Sequence, residues 1–377
     1  MIGAALANQL APHGFSIALV EGQTPTDYDL SQTFDLKVCA LSPKSAQIMQ
    51  QSSAWDILQG MRLCPYKRMR VWEMDGFGDL TFNANQVGML ELGHIVENRL
   101  VQLSLWQALE SHENVAVICP ASPISFNRHG DVTTVVLDNG QHLLARLVVG
   151  ADGAQSKVRE AFGVGVNRGQ YQQACLVASV NTQLGQQDIT WQRFVTTGPQ
   201  AFLPLLGQHG SVVWYHQADR ARALSNLSHE ELATEIMTHF PPQLGHIEVT
   251  AKASFGLQKQ HAQRYYGEGM VLVGDAAHVI NPLAGQGVNL GFQDVDSLAN
   301  VLTHAHSKGE NWSSKEVLSR YQKQRKLANS LMLHSMDVFH HGFSNTNSKA
   351  KWLRNLALSS ARIPLIKKQV IRYAMGI

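Results

Sequence analysis

The residues best able to do chemistry lie in the string Gly274-Asp275-Ala276-Ala277-His278, continued by Pro282 and by Gly285-Gln286-Gly287-Val288-Asn289. A short apolar run, residues 270–273, stops at Gly274-Asp275 and reads as a buried parallel strand ending in a carboxylate. Asp275 would sit at the carboxyl end of that strand, where open sheets bind ligands, and could accept hydrogen bonds from the hydroxyls of a sugar or polyol. Gly285 and Gly287 would let backbone N–H groups approach a flat ring with no side chain in the way. From Gly287 the apolar positions Leu290, Val295, Leu298 and Val301 recur at helical spacing, with Gln286 and Asn289 near the helix start. The positive end of such a helix favours negative charge on the ring by roughly 0.3–1 kcal/mol. An ordinary strand-turn-helix with a capping Asp accounts for a lone Gly-Asp pair equally well, but not for the whole string. His278 could influence proton movement or make a structural hydrogen bond.

Two other segments place a carboxylate in a comparable position. Leu6 and Leu10, stopped by His13-Gly14, lead into a strand over residues 15–20 that ends at Glu21. Helix, second strand and an acid able to bind a ribose hydroxyl form the later part of a Rossmann βαβ unit. Gly3 matches only the third glycine of G-x-G-x-x-G, the one that permits close helix–strand packing. A start placed at an internal methionine, or a lost 5′ end, is expected. The absent first strand would lie in mid-sheet, and each buried backbone group left without a partner would cost about 1–3 kcal/mol. Residues 143–149 read as a strand running into Gly150-Ala151-Asp152-Gly153. Asp152 can orient this turn by accepting backbone N–H bonds, and Gly153 permits its conformation.

Composition bounds the rest. With 377 residues, 44% hydrophobic and 16% charged, the chain suits a soluble globular enzyme of two domains or of one domain with an insertion. A net charge of +2 gives no reason to expect nucleic acid as a partner. Cys39, Cys64, Cys119 and Cys175 are scattered without a C-x-x-C pair, which fits neither zinc nor a disulfide framework and suits a reducing cytoplasm. Residues 174–180, 190–195, 201–206 and 211–215 are short β-rich runs between turns, the pattern of an antiparallel sheet. Ser228-His229-Glu230-Glu231 is a capping box opening a helix to His239. The expected fold is α/β: a Rossmann-like dinucleotide-binding domain lacking its first strand, formed discontinuously by 1–70, 98–170 and 261–330. An inserted antiparallel-sheet domain takes 71–97 and 171–260, and a helical region takes 331–377. Trp191, Phe202, Trp214 and Tyr215 are candidates to line an aromatic-ring pocket, although for each taken separately ordinary core packing is the better reading. The tail from residue 349 carries seven basic and no acidic residues among apolar ones, so it can either pack one face on the body or lie on an anionic membrane surface.

The string from Gly274 to Asn289 resembles the second FAD-binding motif of single-component flavin hydroxylases, in particular those of ubiquinone biosynthesis. The likeness extends over nearly the whole chain, from Gly3 to Gly376. It implies that Asp275 meets the ribitol of FAD and that Pro282, Gly285 and Gly287 wrap the isoalloxazine, with Gly274 and Asn289 in the same motif. It places Arg99 and Gln102 near the flavin, although a polar cluster at a helix start reads the same way. The family commonly has Arg where Lys37 stands; Lys can neutralise a phosphate but lacks the planar donor fork, and Lys37 reads equally as a solvated charge. The Asp152-Gly153 turn resembles the motif that touches both FAD and the nicotinamide reductant.

Within the ubiquinone branch, Cys64-Pro65-Tyr66, Val213-Trp214-Tyr215 and His340-His341-Gly342-Phe343-Ser344 look most like the enzymes acting on a methoxy-methyl-benzoquinol. The implied reaction inserts one atom of O2 into a polyprenylated quinol ring through a C4a-hydroperoxide of reduced FAD, with NAD(P)H or another donor as reductant. No side chain acts as nucleophile; Pro282 and His278 are the nearest candidates for a catalytic part. The implied setting is cytoplasmic, at the periphery of the inner membrane or in a multiprotein ubiquinone-biosynthesis assembly. Hydroxylation at another ring position, or a non-catalytic scaffold of that assembly, stays open.

Overall fold

The computed structural model describes residues 1–74, 78–280, 286–344 and Met375. Asp75-Gly76, which reads as a turn in the sequence, the loop residues Pro282 and Gly285, and the tail from residue 349 apart from Met375 lie outside the described residues.

Parallel strands carry the three carboxylate-bearing turns. Ile17–Val20 pairs in parallel with Val115–Ile118, and the backbone N–H of Glu21 continues the ladder to the Ile118 carbonyl. Val148–Gly150 pairs in parallel with Met270–Leu272. These pairs belong to separate small sheets. The expected single strand over 143–149 is two, His142–Ala145 in an antiparallel sheet and Val148–Gly150 beside Met270–Leu272, because the polar Arg146 falls at the junction.

The Ile2–Leu10 helix packs across this region and is mostly buried. Its amino end sits where only glycine allows it. A Cβ at Gly3 would lie 3.3 Å from that of Ala151 and 3.4 Å from Leu19, and one at Gly291 would come within 2.7 Å of Ile2. The helix therefore draws the first strand, the Asp152 turn and the Gln286–Ser307 helix around one point.

The expected antiparallel sheet is larger and mixed, with eight strands, one pair of which, Arg68–Glu73 with Ile189–Val195, is parallel; its core is Val166–Thr182 flanked antiparallel by His209–Gln217 and Ile247–Ala262. Side chains alternate across such strands. Leu176, Ala178, Val212, Trp214 and Phe202 face the helices Ala218–Asn226 and His229–His239 in one buried cluster. The first of these helices was not foreseen; the second starts at Ser228 with the expected capping box, Glu231 N–H on Ser228 Oγ at 3.1 Å and Ser228 N–H on Glu231 at 2.7 Å. Cys175, Val177, Val213 and Tyr215 face the other way, against Leu36. The Lys315–Ser344 helix closes over the Gln286–Ser307 helix.

Candidate functional site

Asp275 stands three residues past the end of the Met270–Leu272 strand, in a single turn of 3-10 helix begun by Gly274 at φ +57°. Its side chain is exposed but flanked by buried Gly274, Ala276 and Ala277. That shielding is the main cause lifting its carboxyl above the usual carboxylate range, against the opposing pull of His278. Asp152 accepts the Val158 N–H at 3.1 Å, and Gly153 adopts φ +77°. Arg159, which sequence reasoning did not single out, ties the two turns together. Its buried guanidinium donates to the carbonyls of Ala276 and Ala154, both at 2.8 Å. Nothing in the sequence marks this arginine apart from its place after the Asp-Gly turn.

A cavity of about 430 Å³ opens beside the first helix, lined by Asp35, Leu36, Lys37, Asn98, Arg99 and Gln102 with Met1. It thus brings together Lys37, Arg99 and Gln102. Gln102 reaches Glu21 at 3.5 Å, so the acid at the first strand's tip borders the same space. Arg99 is already engaged with Asp35 at 2.9 Å and with the Thr26 carbonyl at 2.7 Å, which anchors the 22–37 loop over the cavity. Buried Arg62 pins the same loop through the carbonyls of Gln32 and Thr33 and through Glu97 at 2.8 Å, with its guanidinium 4.1 Å from the centre of the Phe34 ring.

The structure gives several of the expected positions other partners. The Asn289 side chain is bonded within the protein: its amide accepts from Ser42 N–H at 2.9 Å and Ser45 Oγ at 2.8 Å and donates to the Ala40 carbonyl at 2.8 Å, fastening the start of its helix to the Pro43–Gln50 helix. Trp214 and Phe202 lie in the helix-covered core, and Tyr215, the neighbour of Trp214 on the strand, points to the opposite face, where it is buried against Leu36.

His278 is buried and meets Asp294 at 2.5 Å. Asp294, fully buried, also accepts from Gly274 N–H at 3.1 Å, Arg325 Nε at 2.8 Å and Asn329 Nδ2 at 3.1 Å. Burial works to raise its pKa, but His278 and Arg325 outweigh it and hold the carboxylate below the usual range. Asp294 could have been found in the sequence: it falls four residues after Leu290 and four before Leu298, an acid on an apolar stripe.

Comparison with known proteins decides what this arrangement belongs to. A family model described as an FAD binding domain matches residues 2–335. The chain belongs to the FAD-binding family. A member of it from Escherichia coli, 3-demethoxyubiquinol 3-hydroxylase, is 43% identical over 100% of this chain and 96% of its own length. Ubiquinone hydroxylase UbiL of Rhodospirillum rubrum is 32% identical over 100% of this chain and 87% of its own. Among solved structures, PqsL of Pseudomonas aeruginosa, a probable FAD-dependent monooxygenase, superposes with a TM-score of 0.76 at 20% identity, over 94% of this chain and 97% of the other, which establishes the shared fold.

The residues around the cavity suit the family's cofactor. Lys37 and Arg99 could supply positive charge for phosphate, Glu21 and Gln102 could supply partners for sugar hydroxyls, and Asn98 Oδ1 is buried without a hydrogen-bond partner among the described residues. A buried acceptor of that kind calls for a donor from a ligand or water.

Proposed function

We propose that this chain is an FAD-dependent hydroxylase of ubiquinone biosynthesis that places one oxygen atom from O2 on the ring of a polyprenyl methoxy-methyl-benzoquinol. The observation that carries the reading is a polar, cation-lined cleft bordered by Leu36, which also packs against an apolar strand face, an arrangement that suits a dinucleotide on one side and an aromatic lipid on the other. The 43% identity to the Escherichia coli hydroxylase over the full chain supports the choice of ring.

Bound FAD, reduced by NAD(P)H, would supply the oxygen chemistry. The chain's own residues would bind, orient and keep out water. In this reading Asp275 accepts from the ribityl hydroxyls, Glu21 from a ribose, and Lys37 and Arg99 offset the phosphate charge. Gly287 lies where an added Cβ would meet no atom within 4 Å among the described residues, leaving its backbone open to a flat ring. The amino end of the Gln286–Ser307 helix would favour negative charge on that ring. Tyr215, Val213 and Val177 would hold the quinol. Residues 1–70, 98–170 and 261–330 would form the flavin part, and 71–97 with 171–260 the substrate part. Quinol-dependent oxygen uptake by the FAD-loaded protein tests the reading; uptake that does not depend on the quinol would reject it.

None of the helices among the described residues is long and apolar enough to cross a membrane. The finer part of the reading is that the basic 349–377 segment meets an anionic membrane surface, in or out of a multiprotein assembly, since the prenylated substrate partitions there. Co-sedimentation with anionic vesicles is expected to fall several-fold for K367E/K368E, whereas binding unchanged by charge reversal would leave the tail with a packing role only.

A further inference from the structure

Three chain reversals around one buried cluster each put a leucine into solvent. The first is the turn closed by Gln32 N–H on the Asp29 carbonyl at 3.2 Å, with Leu30 81% exposed. The second follows the Ala84–Val87 turn of 3-10 helix, where Met89 N–H returns to the Ala84 carbonyl at 3.1 Å and Leu90 is 87% exposed. The third is the hairpin between the strands Gly198–Pro204 and His209–Gln217. Leu205 N–H closes it on the His209 carbonyl at 2.9 Å, and Leu206 is 44% exposed beside Gly207 at φ +76°.

The residues flanking these tips meet in the cluster. Leu92 and Leu205 are buried there with Cys64, Tyr66 and Phe82, and Phe34, Val87 and Met89 pack against it. The Phe34 and His209 rings are 4.6 Å apart between centres, which joins the loop of the first turn to the hairpin. Scattered exposed leucines are ordinary on a protein surface. Turn tips, however, favour Gly, Asn, Asp and Ser, and Leu30 and Leu90 are the most exposed large apolar side chains among the described residues. Packing does not account for them, since their side chains leave the cluster that their neighbours join.

Two observations point to lipid as what covers the tips. The last stretch of the chain, with seven basic and no acidic residues from residue 349, ends at this same cluster, where Met375 is buried. The acids beside the tips are engaged by the protein: Asp29 accepts from the N–H and the hydroxyl of Ser31, both at 2.7 Å, and Glu91 lies 3.1 Å from His94 Nε2. Apolar tips with cations brought to them match the chemistry of an anionic bilayer.

We propose that Leu30, Leu90 and Leu206 insert into the surface of an anionic bilayer, with the cluster around Tyr66 and Leu205 behind them. The inference rests on the oxygenase reading, whose prenylated substrate is dissolved in lipid, and adds an apolar contact separate from the basic segment. Leu30 lies on the 22–37 loop that Arg99 anchors over the cofactor cavity, so docking sets lipid beside the mouth of that site.

Co-sedimentation of the FAD-loaded full chain with mixed phosphatidylcholine–phosphatidylglycerol vesicles tests the proposal. The triple variant Leu30→Ser/Leu90→Ser/Leu206→Ser is expected to need about 10-fold more lipid than wild type for half-maximal binding. Leu144→Ser, the same change at an exposed leucine on the His142–Ala145 strand, should bind as wild type does. Because the three side chains are exposed, the triple variant should keep the wild-type urea midpoint and its oxygen uptake with a water-soluble short-prenyl quinol. Vesicle binding that is absent in wild type, unchanged in the triple variant, or lost alike in Leu144→Ser overturns the inference. So does a triple variant whose defect is a change in oligomeric state, which would make the tips an interface between copies. Each of these outcomes leaves the oxygenase reading standing as long as oxygen uptake depends on the quinol; uptake without that dependence sinks the reading itself.

Discussion

Asp294→Ala is expected to lower the stability of the protein by about 3–5 kcal/mol, the range for removing one side of a buried charge cluster. Asp294 is the common acceptor for His278, Arg325, Asn329 and the Gly274 backbone, all of them largely or fully buried. Without it the Arg325 charge remains in the interior unpaired, and the Gly274 N–H, which holds the turn presenting Asp275, loses its acceptor. Urea unfolding of the flavin-free variant followed by far-UV circular dichroism gives the loss directly. Asp294→Asn should fall between wild type and alanine, since it keeps an acceptor oxygen and drops the charge. A midpoint like that of wild type in the alanine variant would mean that the cluster does not hold this corner together.

Asp275→Ala is expected to act on the cofactor and leave the fold alone. Its exposed carboxylate is the proposed acceptor for the ribityl hydroxyls, and hydrogen bonds to a charged group contribute about 1.5–3 kcal/mol, so the FAD dissociation constant should rise about 10- to 100-fold. Flavin fluorescence titration measures it, while the unfolding midpoint of the flavin-free protein should hardly move. The raised pKa adds a pH signature. FAD that hydrogen-bonds to the ionised form pulls the Asp275 pKa down, so affinity should be highest where the carboxylate is already ionised and should fall as pH drops through its raised pKa. The alanine variant should lose that slope. An unchanged dissociation constant would place the ribityl chain elsewhere.

Legibility of the site in the sequence followed how local each signal was. Turns were legible: a strand stopping at Gly274-Asp275, Gly153 with positive φ, and Gly3 against Ala151 all follow from what glycine allows and where apolar runs stop. The capping box at Ser228 is equally local. What the sequence left open depended on which side a residue faces. Period-2 alternation puts Trp214 and Tyr215 on opposite faces, but only the three-dimensional placement of the His229–His239 helix decides which face is the covered one. Asn289 was assigned to the ligand because it lies in the motif, whereas its amide is used up by Ser42, Ser45 and Ala40, which are some 245 residues distant in the chain. Arg159 and Arg325 were missed for the same reason, since their acceptors lie on other elements.

The most direct test of the account is a single turnover with ¹⁸O₂. FAD-loaded protein, reduced under nitrogen and mixed with the methoxy-methyl-benzoquinol and labelled oxygen, should return the quinol carrying one ¹⁸O on its ring by mass spectrometry, in a yield close to the flavin present. Reoxidation of the flavin with peroxide released and the quinol ring left without label would contradict it.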